Sequence, residues 1–131
     1  MYLPRQILRA KLLQILAEDV GQGDVTTALI VPADTIAEAE VMAKEAGVIA
    51  GMEEAEILLE SLGLKVEGFV ADGERVKPKS VLLRILGDAR TLLSIERTLL
   101  NIVSRMSGIA TTTRELTEKI RDAGFEARVA C

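Results

Sequence analysis

The stretch SIERTLLNIVSRMSGIAT, residues 94–111, constrains the fold most, because its apolar residues recur at the spacing of an amphipathic helix. At about 100° per residue, one broad apolar arc is formed by Leu92, Ile95, Leu99, Ile102, Val103, Met106 and Ile109. The opposite stripe consists of Arg90, Ser94, Arg97, Asn101, Ser104 and Gly108. A solvated helix face normally carries Lys and Glu, whereas Arg97 stands among small residues. The pattern therefore predicts a face on which another molecule can approach Arg97 closely.

The composition excludes several classes of protein. The 131 residues suffice for one domain with a core, or for one domain and the start of another. Net charge is −4 and the aromatic residues are Tyr2, Phe69 and Phe125, a composition that argues against nucleic-acid binding. The longest apolar runs are far shorter than the roughly 20 residues of a membrane span, and the first residues do not resemble a signal segment. We therefore expect a cytoplasmic protein.

Histidine is absent and Cys131 is the single cysteine. An intrachain disulfide is excluded, and a structural zinc site is not expected. Without imidazole, catalysis by a general base near neutral pH is also restricted. We expect chemistry based on charge stabilisation by Arg, Lys, Asp or Glu, or on a metal held by carboxylates.

Hydrophobic periodicity divides the first half of the chain into alternating helices and strands. Residues 5–18 predict a helix that ends at Gly21 and Gly23, followed by an extended stretch to Pro32. TIAEAEVMA, residues 35–43, alternates as a strand with one wet face, and Gly47 marks its turn. MEEAEILLESLG, residues 52–63, predicts a helix closed by its glycine.

The second half continues with LKVEGFV and VLLRIL as strands, separated by a turn at Asp72-Gly73. A helix over residues 89–107 is expected to be interrupted by Gly108, and residues 110–124 predict a second helix. Residues 125–131 predict a strand with no following turn. The first ~105 residues thus predict an α+β fold, a mainly antiparallel sheet decorated by helices. From Gly108 onward the order is that of a parallel α/β unit whose partner elements lie outside this chain.

Two short motifs admit a functional and a structural interpretation. GQGD, residues 21–24, could form a phosphate-binding loop, but a helix C-cap with a turn is favoured. Lys44, in AKEAG, could be the modified lysine of a biotinyl- or lipoyl-like carrier domain. The other carrier-like segment is ADGERVKPKSVLLRI, residues 71–85. An ordinary surface lysine is favoured, because the helix of residues 52–62 separates this segment from AKEAG.

Four motifs occur in the order found in the quinolinate phosphoribosyltransferase family, also called nicotinate-nucleotide pyrophosphorylase (carboxylating), which this chain resembles. They are EDVGQGDVTT at 18–27, AGVIAG at 46–51, DGERV at 72–76 and ERTLLNIVSRMSGIAT at 96–111. The resemblance implies an N-terminal α+β substrate-binding and dimerisation domain, residues 1–106, and the start of a truncated C-terminal α/β barrel, residues 107–131. It also implies conversion of quinolinate and phosphoribosyl pyrophosphate into nicotinate mononucleotide, pyrophosphate and CO2, with Mg2+ bound by residues beyond this chain.

The resemblance gives Arg97 a role as a substrate-binding residue. It implies that Arg97 reaches into the barrel of a neighbouring subunit, in a homodimer or a hexamer, and holds the carboxylates of quinolinate. A guanidinium suits this task because it can pair with a carboxylate through two parallel hydrogen bonds. No catalytic and no metal-binding residue is expected within these 131 residues, so the chain alone should be inactive. A molybdenum-transport-associated pyrophosphorylase-like protein of the same fold, and the non-enzymatic carrier domain, remain alternatives.

Overall fold

The computed structural model describes residues 3–21 and 25–129, except the side chains of residues 25 and 26. Within these residues four α-helices and five β-strands follow one another along the chain. They are α1 Arg5–Val20, α2 Val25–Ile30, β1 Ile36–Met42, β2 Gly47–Val48, α3 Met52–Ser61, β3 Lys65–Gly68, β4 Arg75–Val76, β5 Val81–Asp88 and α4 Ala89–Asp122. The predicted α+β class is confirmed.

The main sheet is antiparallel and has the order β1-β5-β3. β5 lies in the centre and pairs with β1 along one edge and with β3 along the other. Its Leu82 and Leu83 are buried, whereas β1 alternates between exposed glutamates and inward-facing Ala37, Ala39 and Val41. A second, two-stranded sheet is formed by β2 and β4.

The core lies between the main sheet and two helices, α3 and the first part of α4. Leu58 and Leu59 of α3 and Leu83 of β5 are fully buried, and they join Ile85 and Ile95 in one apolar cluster. The outer face of the sheet is exposed, and there Arg84 pairs with glutamates on both neighbouring strands. The predicted alternation of β1 between an inward and a solvent-exposed face is therefore confirmed.

The segment between α1 and β1 differs in part from the prediction. Gly21 ends α1 with a φ of 58° and donates its N–H to the carbonyl of Ala17, so the C-cap interpretation of this glycine is confirmed. Residues 22–24, the rest of GQGD, lie outside the described residues. The extended stretch predicted to Pro32 is wrong for residues 25–30, which form α2. Tertiary contact stabilises this short helix, because the guanidinium of Arg90 donates to the carbonyls of Ala28 and Val31 at its C-terminal end.

Gly108 does not interrupt the last helix, and that prediction is wrong. α4 runs continuously for 34 residues, because one glycine in a helix interior costs only about 1 kcal/mol relative to alanine. The helix crosses the predicted domain boundary at residues 106 and 107, which stays a prediction. Gly47 does not form a turn but begins β2, and the chain bends at Lys44 and Glu45 instead.

The predicted strand over residues 125–131 is wrong for residues 125–129, which have no regular structure, and residues 130 and 131 lie outside the described part. A strand is stable only where a neighbouring strand takes up its backbone hydrogen bonds. Among the described residues no strand lies beside this segment. No helix within residues 3–21 and 25–129 is both long and apolar enough to cross a membrane.

Candidate functional site

Arg97 lies on the exposed face of α4, as the sequence predicts. Its guanidinium makes no hydrogen bond or ion pair with the residues that the structure describes. Asn101, Ser104 and Gly108 follow along the same face and are also exposed. A Cβ placed on Gly108 would meet no atom within 4 Å, so this face is open beside Arg97. The arrangement leaves a cation free to bind an anionic group.

The first two members of the predicted stripe have structural partners instead. Arg90 holds the end of α2, and the hydroxyl of Ser94 donates to the carbonyl of Arg90 at 2.6 Å. The stripe is therefore accessible from Arg97 onward. The predicted apolar arc holds from Leu92 to Val103 but is wrong at Ile109, which is 62% exposed.

Leu93 and Leu100 add apolar surface to the exposed face of α4. They lie one turn before and one turn after Arg97 and are 46% and 40% exposed. Neither leucine belongs to the predicted stripe or to the predicted apolar arc. Another protein can cover the surface formed by the two exposed leucines. The guanidinium of Arg97 between them could then bind a ligand.

Thr98 joins two of the family-like motifs through a contact that the sequence does not predict. Thr98 is 1% exposed, and its hydroxyl donates to Oδ2 of Asp19 at 2.8 Å. The two residues are 79 positions apart, so periodicity gives no signal for their contact. Their presence in EDVGQGDVTT and in ERTLLNIVSRMSGIAT was the one available hint.

Ser107 and Thr111 join α4 to the AGVIAG segment. The hydroxyl of Ser107 accepts from the N–H of Ala50 at 3.1 Å, and that of Thr111 accepts from the N–H of Val48 at 2.9 Å. A Cβ on Gly47 would lie 2.8 Å from Oγ1 of Thr111, so the glycine permits the close approach. These motif residues hold the helix in place and are not free for a ligand.

A groove of ≈ 480 Å³ runs beside the second half of the stripe. One wall is α4 with Leu100, Ser104 and Gly108, and the other wall includes Met42 and Lys44. Lys44 is exposed at the bend between β1 and β2. Its position is that of a surface lysine, the interpretation that the sequence favours.

Asp88 fixes the beginning of the helix that carries Arg97. Its Oδ2 accepts hydrogen bonds from the backbone N–H and the hydroxyl of Thr91, both at 2.8 Å. These two bonds, the backbone one first, hold the pKa of Asp88 below its ordinary value of 3.8. Asp88 is therefore an ionised N-cap that stabilises the start of α4.

Carboxylates among the described residues do not gather into a metal site. No group of three or more His, Cys, Asp or Glu that could hold a metal ion occurs within residues 3–21 and 25–129.

Comparison with known proteins places this geometry in a family. Residues 24–107 match the family described as quinolinate phosphoribosyl transferase, N-terminal domain. A probable nicotinate-nucleotide pyrophosphorylase (carboxylating) of Methanocaldococcus jannaschii is 38% identical over 113 residues, which are 86% of this chain and 39% of that protein. The nicotinate-nucleotide pyrophosphorylase (carboxylating) of Mycobacterium leprae is 40% identical over 119 residues, covering 87% of this chain and 41% of that protein.

Solved structures of nicotinate-nucleotide pyrophosphorylases are also similar to this chain. The nicotinate-nucleotide pyrophosphorylase of Francisella tularensis superposes with a TM-score of 0.82 at 27% identity, over 92% of this chain and 44% of that one. NadC of Streptococcus pyogenes gives a TM-score of 0.78 at 31% identity, over 85% of this chain and 41% of that one. The chain thus spans about two fifths of the length of these relatives. It belongs to the quinolinate phosphoribosyltransferase family, and its matched part is the N-terminal domain of that family.

Proposed function

We propose that this chain is the substrate-binding part of an enzyme that converts quinolinate and phosphoribosyl pyrophosphate into nicotinate mononucleotide, pyrophosphate and CO2 in NAD biosynthesis. The observation that carries the proposal is Arg97, an exposed arginine without a partner among the described residues, on the open face of α4. The names of the relatives, nicotinate-nucleotide pyrophosphorylase and quinolinate phosphoribosyltransferase, support the same reaction.

Arg97 would bind a carboxylate of quinolinate. Quinolinate carries two carboxylates on neighbouring ring carbons, and a planar guanidinium can donate two parallel hydrogen bonds to one of them. The small residues Asn101, Ser104 and Gly108 would let the rim of an active site come close to the helix. In this proposal Arg97 binds and orients the substrate, and no residue of this chain takes part in proton transfer.

The active site that Arg97 serves would lie in a neighbouring subunit of a homodimer or a hexamer. Support comes from the exposed Leu93 and Leu100, which would be covered in such an assembly. Mg2+ would neutralise the pyrophosphate leaving group. Its ligands would be residues beyond this chain, and no group of three or more His, Cys, Asp or Glu that could hold a metal ion lies within residues 3–21 and 25–129. The proposed compartment is the cytoplasm, although some plant relatives are named chloroplastic or mitochondrial.

The experiment is a steady-state titration of quinolinate at saturating phosphoribosyl pyrophosphate in the full-length protein that carries this chain. Arg97→Ala should lower kcat/KM for quinolinate by roughly 30- to 1000-fold, the effect of losing a charge-assisted contact of about 2–4 kcal/mol at a desolvated site. Arg97→Lys should recover part of the loss, because it keeps the charge without the two-pronged geometry. Arg105→Ala is the matched control, since Arg105 is an exposed arginine of the same helix that lies outside the stripe.

Two further results separate the proposal from a structural role. Mixing Arg97→Ala subunits with subunits inactivated in the barrel should restore part of the activity, because one mixed site then contains both intact halves. The melting temperature of Arg97→Ala should stay close to that of the wild type, because the side chain is exposed. Wild-type kinetics for Arg97→Ala would refute the proposal, and so would a loss equal to that of Arg105→Ala.

A further inference from the structure

Thr98 is the most deeply buried polar side chain among the described residues, and it directly follows Arg97. Its hydroxyl donates to Oδ2 of Asp19 at 2.8 Å. Consecutive residues of a helix point about 100° apart. Anchoring the side chain of Thr98 therefore also sets the direction in which Arg97 leaves the helix.

The helical position of Asp19 argues for a role in this contact. Asp19 lies in the last turn of α1, where the backbone carbonyls disfavour a carboxylate, and no basic residue accompanies it there. Asp19 is also exposed, so water could satisfy its oxygens without Thr98. Neither local helix stability nor burial explains the carboxylate. The hydroxyl of Thr98 donates to it, whereas the hydroxyl of Ser94 on the same helix donates to a carbonyl four residues before it.

A second hydrogen-bonded contact between α4 and the preceding chain lies two turns before Thr98, at Arg90. The guanidinium of Arg90 donates to the carbonyl of Val31 at 2.8 Å and to that of Ala28 at 3.1 Å. α4 is thus attached both to Asp19 in the last turn of α1 and to Val31 directly after α2. Arg97 lies between the two points of attachment along α4.

We propose that Asp19 and Thr98 are a positioning pair that sets the direction of the Arg97 guanidinium toward the carboxylate of the substrate. This inference rests on the proposed function and assigns to the pair no contact with substrate. The hydrogen bond fixes the rotation of α4 against the end of α1 at the level of Arg97. Without it, the guanidinium would sample directions in which only one of its two parallel hydrogen bonds can form.

The test is the kinetics of Thr98→Val, which keeps the shape of the side chain and removes the donor, in the full-length protein. The KM for quinolinate should rise by about tenfold. A displacement of about 1 Å can lower the rate of a reaction roughly hundredfold, and we expect a smaller displacement of Arg97 here. The KM for phosphoribosyl pyrophosphate should stay unchanged. Thr98→Ser, which keeps the hydroxyl, should restore the KM for quinolinate to nearly the wild-type value.

Asp19→Ala provides a second variant from the other side of the contact. Asp19 is exposed, so we expect its substitution to disturb folding less than a change at the buried Thr98. It should raise the KM for quinolinate as Thr98→Val does. In an Arg97→Ala background neither change should raise this KM further, because the pair acts through Arg97.

The outcomes distinguish the two proposals. An impaired Arg97→Ala together with an unchanged KM in both Thr98→Val and Asp19→Ala would overturn the positioning pair and leave the proposed function standing. Equal losses for both substrates, or the same rise in KM in the Arg97→Ala background, would also overturn the pair, because they indicate a general structural role. Wild-type kinetics for Arg97→Ala would overturn the proposed function, and the pair with it.

Discussion

The two halves of α4 form one continuous helix but are held in place by different forces. In residues 89–107 almost every turn buries a side chain, including Leu92, Ile95, Leu99 and Val103. In residues 108–122 no side chain is buried, and the contacts are polar, through Thr111 to β2 and through Glu118 to Arg75 of β4. An apolar repeat in a helix therefore shows which side could be buried, while the rest of the chain decides whether it is.

The same substitution of one isoleucine in each half should give the largest difference in the free energy of unfolding. Ile95→Ala should lower the free energy of unfolding by about 2–5 kcal/mol, because Ile95 is 1% exposed and its removal leaves a cavity. Ile109→Ala should change it by less than about 0.5 kcal/mol, because Ile109 is 62% exposed. Chemical denaturation of both variants measures the contrast. Equal losses would show that Ile109 is covered in solution, and the comparison of the two halves would then fail.

A smaller effect is expected where the second half meets β2. Gly47→Ala places a Cβ 2.8 Å from Oγ1 of Thr111, and we expect a loss of about 1–3 kcal/mol in the free energy of unfolding. In a Thr111→Ala background the same change should cost much less, because the hydroxyl in its way is gone.

Thr111→Ser is the control for this cycle, since it keeps the hydroxyl. Gly47→Ala should remain costly in that background. A cost that is the same in all three backgrounds would mean that Thr111 does not approach β2 as closely as the structure indicates.

Acidification should produce the smallest effect and act on both halves. Hydrogen bonds from Thr91 lower the pKa of Asp88 from 3.8, and the hydrogen bond from Arg75 lowers the pKa of Glu118 from 4.5. A carboxyl whose pKa is lower in the folded state stabilises the fold above its unfolded pKa. This contribution is lost as the pH falls through the folded value. Stability should therefore decline below about pH 4.5.

Denaturation between pH 6 and about pH 3 tests this in the wild type, in Asp88→Asn and in Glu118→Gln. Asparagine still caps a helix but does not titrate, so Asp88→Asn should lose less stability over this range than the wild type. Glu118→Gln should likewise show a shallower dependence. If the free energy of unfolding of both variants depended on pH as that of the wild type does, neither carboxyl would contribute to the acid sensitivity.

Much of the fold could be predicted because most elements carry their own periodic signal. β1 shows alternation, α3 ends two residues before Gly63, and β5 is apolar apart from Arg84 over residues 81–86. The errors occur where tertiary contact decides. α2 depends on Arg90, which comes 59 residues after the carbonyl of Val31 that it binds. Residues 125–129 lack a strand neighbour among the described residues.

The candidate site was predictable in part for the same reason. The spacing along α4 already indicates that Arg97 is exposed among small residues. It could not indicate that Arg90 and Ser94 have partners, or that Thr98 meets Asp19, because these contacts depend on how distant segments pack. The motif order identifies the family, while the role of each motif residue becomes visible only in the packed structure.

The 34 residues of α4 give the helix a mechanical property, because at a rise of 1.5 Å per residue it is about 51 Å long. Side chains of its first half are buried in the core, whereas the second half, roughly 22 Å long, extends from it as a rigid rod. A tilt of about 5° at Ser107 would move the far end by about 2 Å over that length. The ion pair of Arg75 with Glu118 lies close to that end, far from Ser107. At this distance even a weak interaction opposes the tilt effectively.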